Sequence, residues 1–284
     1  MALSLLQRGT GPARPLVAAF GPMTVAKLPK TLGPVPCIVA DPDPKGEGAE
    51  TIAQIVDFAA RQAGVGHFGA TALIGFSIGC KRVRQLRIGG ATAGAYLLVD
   101  GTHANWPPLP WQIEWLQALA ADARAGRILL VASHTYQTYV EKMAHPFAAS
   151  VTVLRQATGF PLSAGGPPDA PVVSRNPLNG PMSSGLWVYS YASKEADYEA
   201  HKHQGGPVAH QLAARHLTPW LASLSFSAPA STLAPTLAAP ASEATNSSGS
   251  GLGALAVLGA VTALALSSKD QSSPNTNHMA VSRH

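Results

Sequence analysis

The chain of 284 residues is long enough for one sizeable α/β domain or two small ones. Apolar residues make up 46% of it and charged residues only 12%, about half the usual share of roughly 25%, so Ser, Thr, Gln, Gly and Pro must build much of the surface. The net charge of +5 comes without a binding motif or basic–aromatic interleaving, which argues against nucleic acid as partner, and two cysteines, Cys37 and Cys80, are too few for a disulfide scaffold and match no zinc spacing.

In chain order, the first nine residues have too short an apolar run for a secretory signal. Residues 15–21 (PLVAAFG) and 36–41 (PCIVAD) read as short buried strands. Residues 50–63 place Ile52, Ile55, Val56, Phe58 and Ala59 at helical spacing. Residues 71–76 (TALIGF) form a strand running into Ser77, and 78–86 a helix. The basic cluster Lys81, Arg82, Arg84 and Arg87 on that helix reads as a solvated face. A strand at 94–100, a helix at 110–125 and a strand at 127–133 follow. After a long connection, 185–191 (GLWVYSY) is the last strand and 208–221 the closing helix.

Strands and helices alternating at this pitch predict an α/β domain over 1–224, a mostly parallel, doubly wound sheet flanked by helices. The strands are continuous apolar runs, as burial on both faces requires. Residues 225–250 are almost wholly Ala, Ser, Pro, Thr and Gly and read as a flexible linker. Residues 251–266 carry no charge and read as an apolar helix, slightly short of the ~20 residues that span a bilayer. Membrane contact and contact with a protein assembly are both open for it. Residues 267–284 form a polar tail.

Gly75-Phe76-Ser77-Ile78-Gly79 fits the G-x-S-x-G turn in which a serine stands between a strand and a helix, and here the context is a strand followed by a helix. Side chains at the two glycine positions would collide with neighbouring elements. The helix N-terminus beneath Ser77 favours a developing oxyanion. The plain alternative is a tight turn with a serine cap. A nucleophilic serine needs a base, and the base an orienting acid. Asp100, ending the strand after Ser77, is the expected acid, with Asp169 and Asp197 as weaker alternatives. The base is expected in the loop after the last strand, at His201 or alternatively His203. His210 and His216 fall in the predicted closing helix and read as packing or surface residues. One oxyanion donor is the Ile78 N–H. The other comes from the loop after the first strand, from Gly21 or Met23, because Pro22 has no N–H.

With these residues in view, residues 14–222 resemble the α/β-hydrolase superfamily: the G-F-S-I-G turn, the strand-terminal Asp100, a histidine after the final strand and a glycine-bearing loop after the first. The resemblance implies a serine hydrolase that cleaves an ester, or a thioester or amide, through an acyl-enzyme, with no cofactor and no metal. The acid stands one strand earlier than most members place it, as in some lipases. The insertion 135–184, ending Pro- and Gly-rich, is expected to form a lid or substrate-binding loop over Ser77. Trp106, Tyr136 and Tyr139 are candidates to line the cleft or to pack beside it.

Two other readings compete. A non-catalytic assembly or particle-associated protein could keep a hydrolase-like fold and attach through its C-terminal apolar segment. A metal hydrolase would use His103, His134, His201 and His203. The partner expected from the first reading is a small-molecule or polymer ester.

Overall fold

β1 (Ser4–Gln7) opens the chain and is followed by β2 (Arg14–Phe20), a 3-10 turn (Val25–Lys27), α1 (Leu28–Leu32), β3 (Cys37–Asp41) and α2 (Ile52–Ala63). β4 (Phe68–Phe76) runs into α3 (Ile78–Ile88). Then come β5 (Ala95–Val99), the short β6 (Ala104–Asn105), α4 (Pro110–Arg124), β7 (Leu129–Thr135), the short β8 (Phe147–Ala148), α5 (Ser150–Thr158), β9 (Val172–Asn176) and β10 (Gly185–Tyr191). α6 (Tyr198–His203), α7 (Ala209–Leu212) and α8 (Thr218–Ser223) are joined by two π-helical stretches, Gln204–Val208 and Ala213–Leu217. This computed structural model describes residues 3–9, 14–21, 25–41, 48–105, 107–135, 147–162, 164–193 and 198–224. The expected linker, apolar helix and polar tail at 225–284 lie outside them.

Eight strands form one sheet in the order β1-β3-β2-β4-β5-β7-β10-β9. The six inner strands are parallel, and β1 and β9 pair antiparallel at the two edges. Successive residues of each inner strand feed opposite faces. Leu16, Ala18 and Phe20 of β2 pack with α2, α3, α4 and α5. Val17 and Ala19 pack with α1 and the C-terminal helical stretch. Both faces are therefore apolar, which is why the strands carry no polar alternation. The fold is α/β, with a mostly parallel sheet flanked by helices.

Local chemistry sets the helix ends. At α2, the Thr51 hydroxyl accepts from the Gln54 N–H at 3.3 Å while the Thr51 N–H donates to Gln54 Oε1 at 2.8 Å. Gly64, at φ 67°, ends that helix in the left-handed region.

Four expectations need correction. β1 and β9 are strands the sequence reading did not contain. Each is a short edge strand, without the continuous apolar run of the inner ones. The insertion is not wholly a lid: α5 packs on α4 with Val153 and Leu154 in the core, and β9 extends the sheet. The closing helical region begins at Tyr198 rather than near residue 208. The basic cluster is not a solvated face, because Arg82 is buried at 5% exposure beside Glu50, 3.5 Å away.

Candidate active site

The sheet order reverses direction between β2 and β4: the chain steps from β2 to β3 on one side, then to β4 on the other. Crevices at the carboxyl ends of strands open at such switch points. Ser77 stands there, at the end of β4.

Its backbone is strained. Ser77 has φ 52° and ψ −124°, a left-handed φ that costs an L-residue on the order of 1–3 kcal/mol. The surroundings impose it. The Ser77 N–H donates to the Val99 carbonyl at 3.0 Å, and its own carbonyl accepts from the Cys80 N–H at 3.0 Å. A Cβ on Gly75 would lie 2.8 Å from the Cys80 backbone, one on Gly79 would lie 2.1 Å from the Phe20 carbonyl oxygen, and one on Gly101 would lie 2.1 Å from the Ser77 carbonyl oxygen. The turn is thus clamped between β2, β5 and its own helix by three positions that admit no side chain. The Ser77 side chain stays half-buried, open on one side.

Asp100 follows β5 directly, is fully buried and has φ 39°. Its N–H donates to the Ser133 carbonyl at 3.0 Å. Its carboxylate accepts from the Thr135 N–H at 3.2 Å on Oδ1 and from the Thr135 hydroxyl at 2.8 Å on Oδ2. Burial alone would push this carboxyl up. Hydrogen bonds and charge from His201, the neighbouring His103 and the Thr135 hydroxyl outweigh that and hold it below the usual carboxylate range.

His201 joins the two. Its Nδ1 lies 2.9 Å from Asp100 Oδ2 and its Nε2 2.9 Å from Ser77 Oγ. An ionised carboxylate can only accept, so Nδ1 carries the proton and donates. The Nε2 lone pair then faces the Ser77 hydroxyl. The ring is 3% exposed and stacks on Phe76 with centroids 5.0 Å apart. Just beyond it, Gln204 Oε1 accepts from the Ser133 hydroxyl at 2.9 Å, and Gly205 packs so tightly on Phe76 that a Cβ would meet the ring at 2.3 Å.

The sequence placed His201 and His203 in a loop; both lie on α6. Two residues on a helix are about 200° apart, so burying His201 turns His203 to solvent, and His203 is exposed. Asp169 is exposed in a turn, and Asp197 lies outside the described residues.

Ile78 is the first residue of α3, where an N–H has no intrahelical acceptor. Gly21 does not match its expected role as the second donor. Its N–H is already given to the Asp41 carbonyl at 3.1 Å, continuing the β2–β3 ladder. Its φ of 95°, and the 2.4 Å that would separate a Cβ from the Phe76 carbonyl oxygen, explain the glycine by close packing instead. Met23 lies outside the described residues, as do Trp106, Tyr136 and Tyr139.

Thr135 was not assigned to this site from the sequence, and His103 was read only as a ligand in the metal alternative. Thr135 holds both carboxylate oxygens of Asp100; β7 runs two residues past Ser133, the partner of the end of β5, and the sequence reading had stopped that strand at 133. His103 sits 6.3 Å from the His201 ring, with Nδ1 3.0 Å from the Ser150 hydroxyl. Burial pushes His103 down to about 4, against the pull of Asp100, so it is neutral near pH 7. His134 has Nε2 2.8 Å from the Ser190 hydroxyl and is likewise pushed down to about 4 by burial.

Among the described residues, no group of three or more His, Cys, Asp or Glu is placed to hold a metal ion. Both cysteines are free and buried. Burial pushes the Cys80 thiol far up, and it donates to the Gly75 carbonyl at 3.2 Å, so it is inert packing. Among the described residues no helix is long and apolar enough to cross a membrane, and 251–266 lies outside them. No protein-family model and no curated protein matches the chain.

Proposed function

We propose that the chain is a serine hydrolase of the α/β-hydrolase type that cleaves a carboxylic ester through an acyl-enzyme on Ser77. The observation that carries this reading is the hydrogen-bonded line from Ser77 Oγ through His201 to Asp100, two contacts of 2.9 Å each, ending on a half-buried hydroxyl.

In this mechanism His201 Nε2 removes the hydroxyl proton as Oγ attacks the ester carbonyl carbon. Asp100 stabilises the imidazolium and keeps Nδ1 as donor. The tetrahedral oxyanion forms beside the Ile78 N–H at the head of α3, where the helix dipole favours negative charge. His201 then gives its proton to the departing alcohol oxygen. Water repeats the cycle in reverse and frees the acid. The strained turn supports the reading, since it lifts Oγ clear of the sheet at the cost of an unfavourable φ. The hold on Asp100 supports it too: the His201 hydrogen bond and charge first, with the Thr135 hydroxyl adding to them, keep the buried carboxyl low.

A fluorophosphonate probe tests this. Covalent labelling of the full chain, lost in Ser77→Ala, is the expected result, with hydrolysis of a p-nitrophenyl ester lost in parallel. Folded protein that takes no label and turns over no ester would favour the non-catalytic assembly reading.

A further inference from the structure

Beside the line from Ser77 through His201 to Asp100, the Ser133 hydroxyl donates to Gln204 Oε1 at 2.9 Å, joining residues 71 positions apart in the chain. Both are buried, at 0% and 1% exposure. We propose that this bond is a positioning link: it sets the rotation of the helical stretch that carries His201, and so the reach of the imidazole to Ser77 and Asp100. The inference rests on the hydrolase reading and adds to it two positioning residues, Ser133 and Gln204, that act through His201.

The stretch cannot hold its rotation alone. α6 has only six residues, too few for a helix to be stable by itself. It runs into Gly205, Gly206 and Pro207, which are poor helix formers, and the backbone there changes from α to π geometry. Where that change falls decides which way the neighbouring side chains point, so tertiary contacts must fix it. Positions three and four apart on a helix share a face, and His201, Gln204 and Gly205 stand at that spacing. His201 meets Ser77 and Asp100, Gln204 meets Ser133, and Gly205 presses on the Phe76 ring. Gln204 is the first residue of the π stretch, so the bond pins the boundary itself.

The other end of the link is tied to the acid. The Ser133 carbonyl accepts from the Asp100 N–H at 3.0 Å while its hydroxyl donates to Gln204. One residue of β7 thus holds the backbone of the acid and the helix of the base. The strand sequence shows the same arrangement. Leu129 and Val131 pack with the C-terminal helices. Ser133 and Thr135 take the next two positions on that face, where the apolar run gives way to hydroxyls. Thr135 donates its hydroxyl to Asp100 and Ser133 its own to Gln204. A hydroxyl buried this fully loses its hydration and needs a partner, a cost that an apolar side chain would not carry.

The test uses the full chain with Ser133→Ala, with Gln204→Met and with both. Ser133→Ala keeps the carbonyl that holds Asp100, and Gln204→Met keeps the side-chain length without the acceptor oxygen. For a p-nitrophenyl ester, each single variant should lower kcat by about tenfold or more with KM little changed, since a small misplacement of the base slows the chemical step. The double variant should lose no more than either single one, because both remove the same bond. Thermal midpoints separate positioning from stability. Each single variant leaves one buried polar group unpaired and the double leaves neither, so the midpoint should recover in the double while kcat does not. Additive losses, a fall in kcat well under about tenfold, or a kcat that recovers with the midpoint would overturn the proposal. The His201 Nδ1–H proton resonance, identified by its absence from His201→Gln, reads the link without turnover. It should shift or broaden in all the variants that lack the bond, and an unmoved signal also overturns the proposal. If the unaltered chain takes no fluorophosphonate at Ser77, the hydrolase reading fails, and the resonance still decides whether the link positions His201.

Discussion

Two buried histidines hang from the same C-terminal stretch, each with both ring nitrogens at hydrogen-bond distance from a partner. His216 has Nε2 2.7 Å from the Tyr189 hydroxyl and Nδ1 2.7 Å from the Met182 carbonyl oxygen. His201 has Nε2 2.9 Å from the Ser77 hydroxyl and Nδ1 2.9 Å from Asp100 Oδ2. The difference lies on Nδ1. A carbonyl dipole does not offset the burial of an imidazolium, so burial pushes His216 down to about 4, with nearby Arg215 adding to it. Its ring is a neutral brace tying β10 to the segment at Met182. On the His201 side the Nδ1 partner is the Asp100 carboxylate, a full charge rather than a dipole. The same pair of hydrogen bonds thus serves His216 as a brace, whereas the carboxylate and the half-buried hydroxyl beside His201 are what the proposed base requires.

The largest expected effect comes from making the two sites alike. Asp100→Asn puts a neutral group against His201 Nδ1, and kcat for a p-nitrophenyl ester should fall by about 10³–10⁴. A loss under tenfold would break the contrast.

The next effect is on stability. His103, His134 and His216 are each pushed to about 4 in the folded chain, against 6.5 when open. The unfolded chain then takes up protons first. Their contribution is intact above pH 6.5 and is lost as the pH falls toward 4, by roughly 1–2 kcal/mol per ring at pH 5. Denaturant midpoints measured from pH 7.5 to 5 should fall steadily. A flat profile would show that the braces do not differ from exposed imidazoles.

The smallest effect sharpens the role of the carboxylate. The Thr135 hydroxyl helps hold the Asp100 carboxyl low. Thr135→Val should lower kcat/KM about tenfold and move the acid limb of its pH profile upward, and Thr135→Ser should restore both. A loss of rate with an unmoved limb would assign Thr135 to packing alone.

The inner strands were legible because burial on both faces leaves each as an unbroken apolar run. The edge strands β1 and β9 were not, since a strand paired on one side needs no such run. Ser77 stood out because its flanking glycines are steric necessities of the turn. Asp100 stood out because it ends a strand, where functional groups sit in an open α/β sheet, and few other carboxylates compete. His201 could not be separated from His203 while both were read as loop. Helical geometry separates them, and the 204–206 stretch just beyond is π-helical rather than loop. Gly21 misled because its close approach to Phe76 and Gly79 was visible as a glycine, whereas the continuation of the ladder to Asp41 is a tertiary fact.

The base joins its partners across a long stretch of chain, 101 residues after the acid and 124 after the nucleophile. During synthesis, then, the serine and the carboxylate both exist well before the imidazole that would connect them. In the proposed hydrolase, a partly made or C-terminally clipped chain ending before α6 would hold the Ser77 hydroxyl with no imidazole beside it. If the proposed function holds, the Ser77 hydroxyl gains its base only once the C-terminal helices are in place.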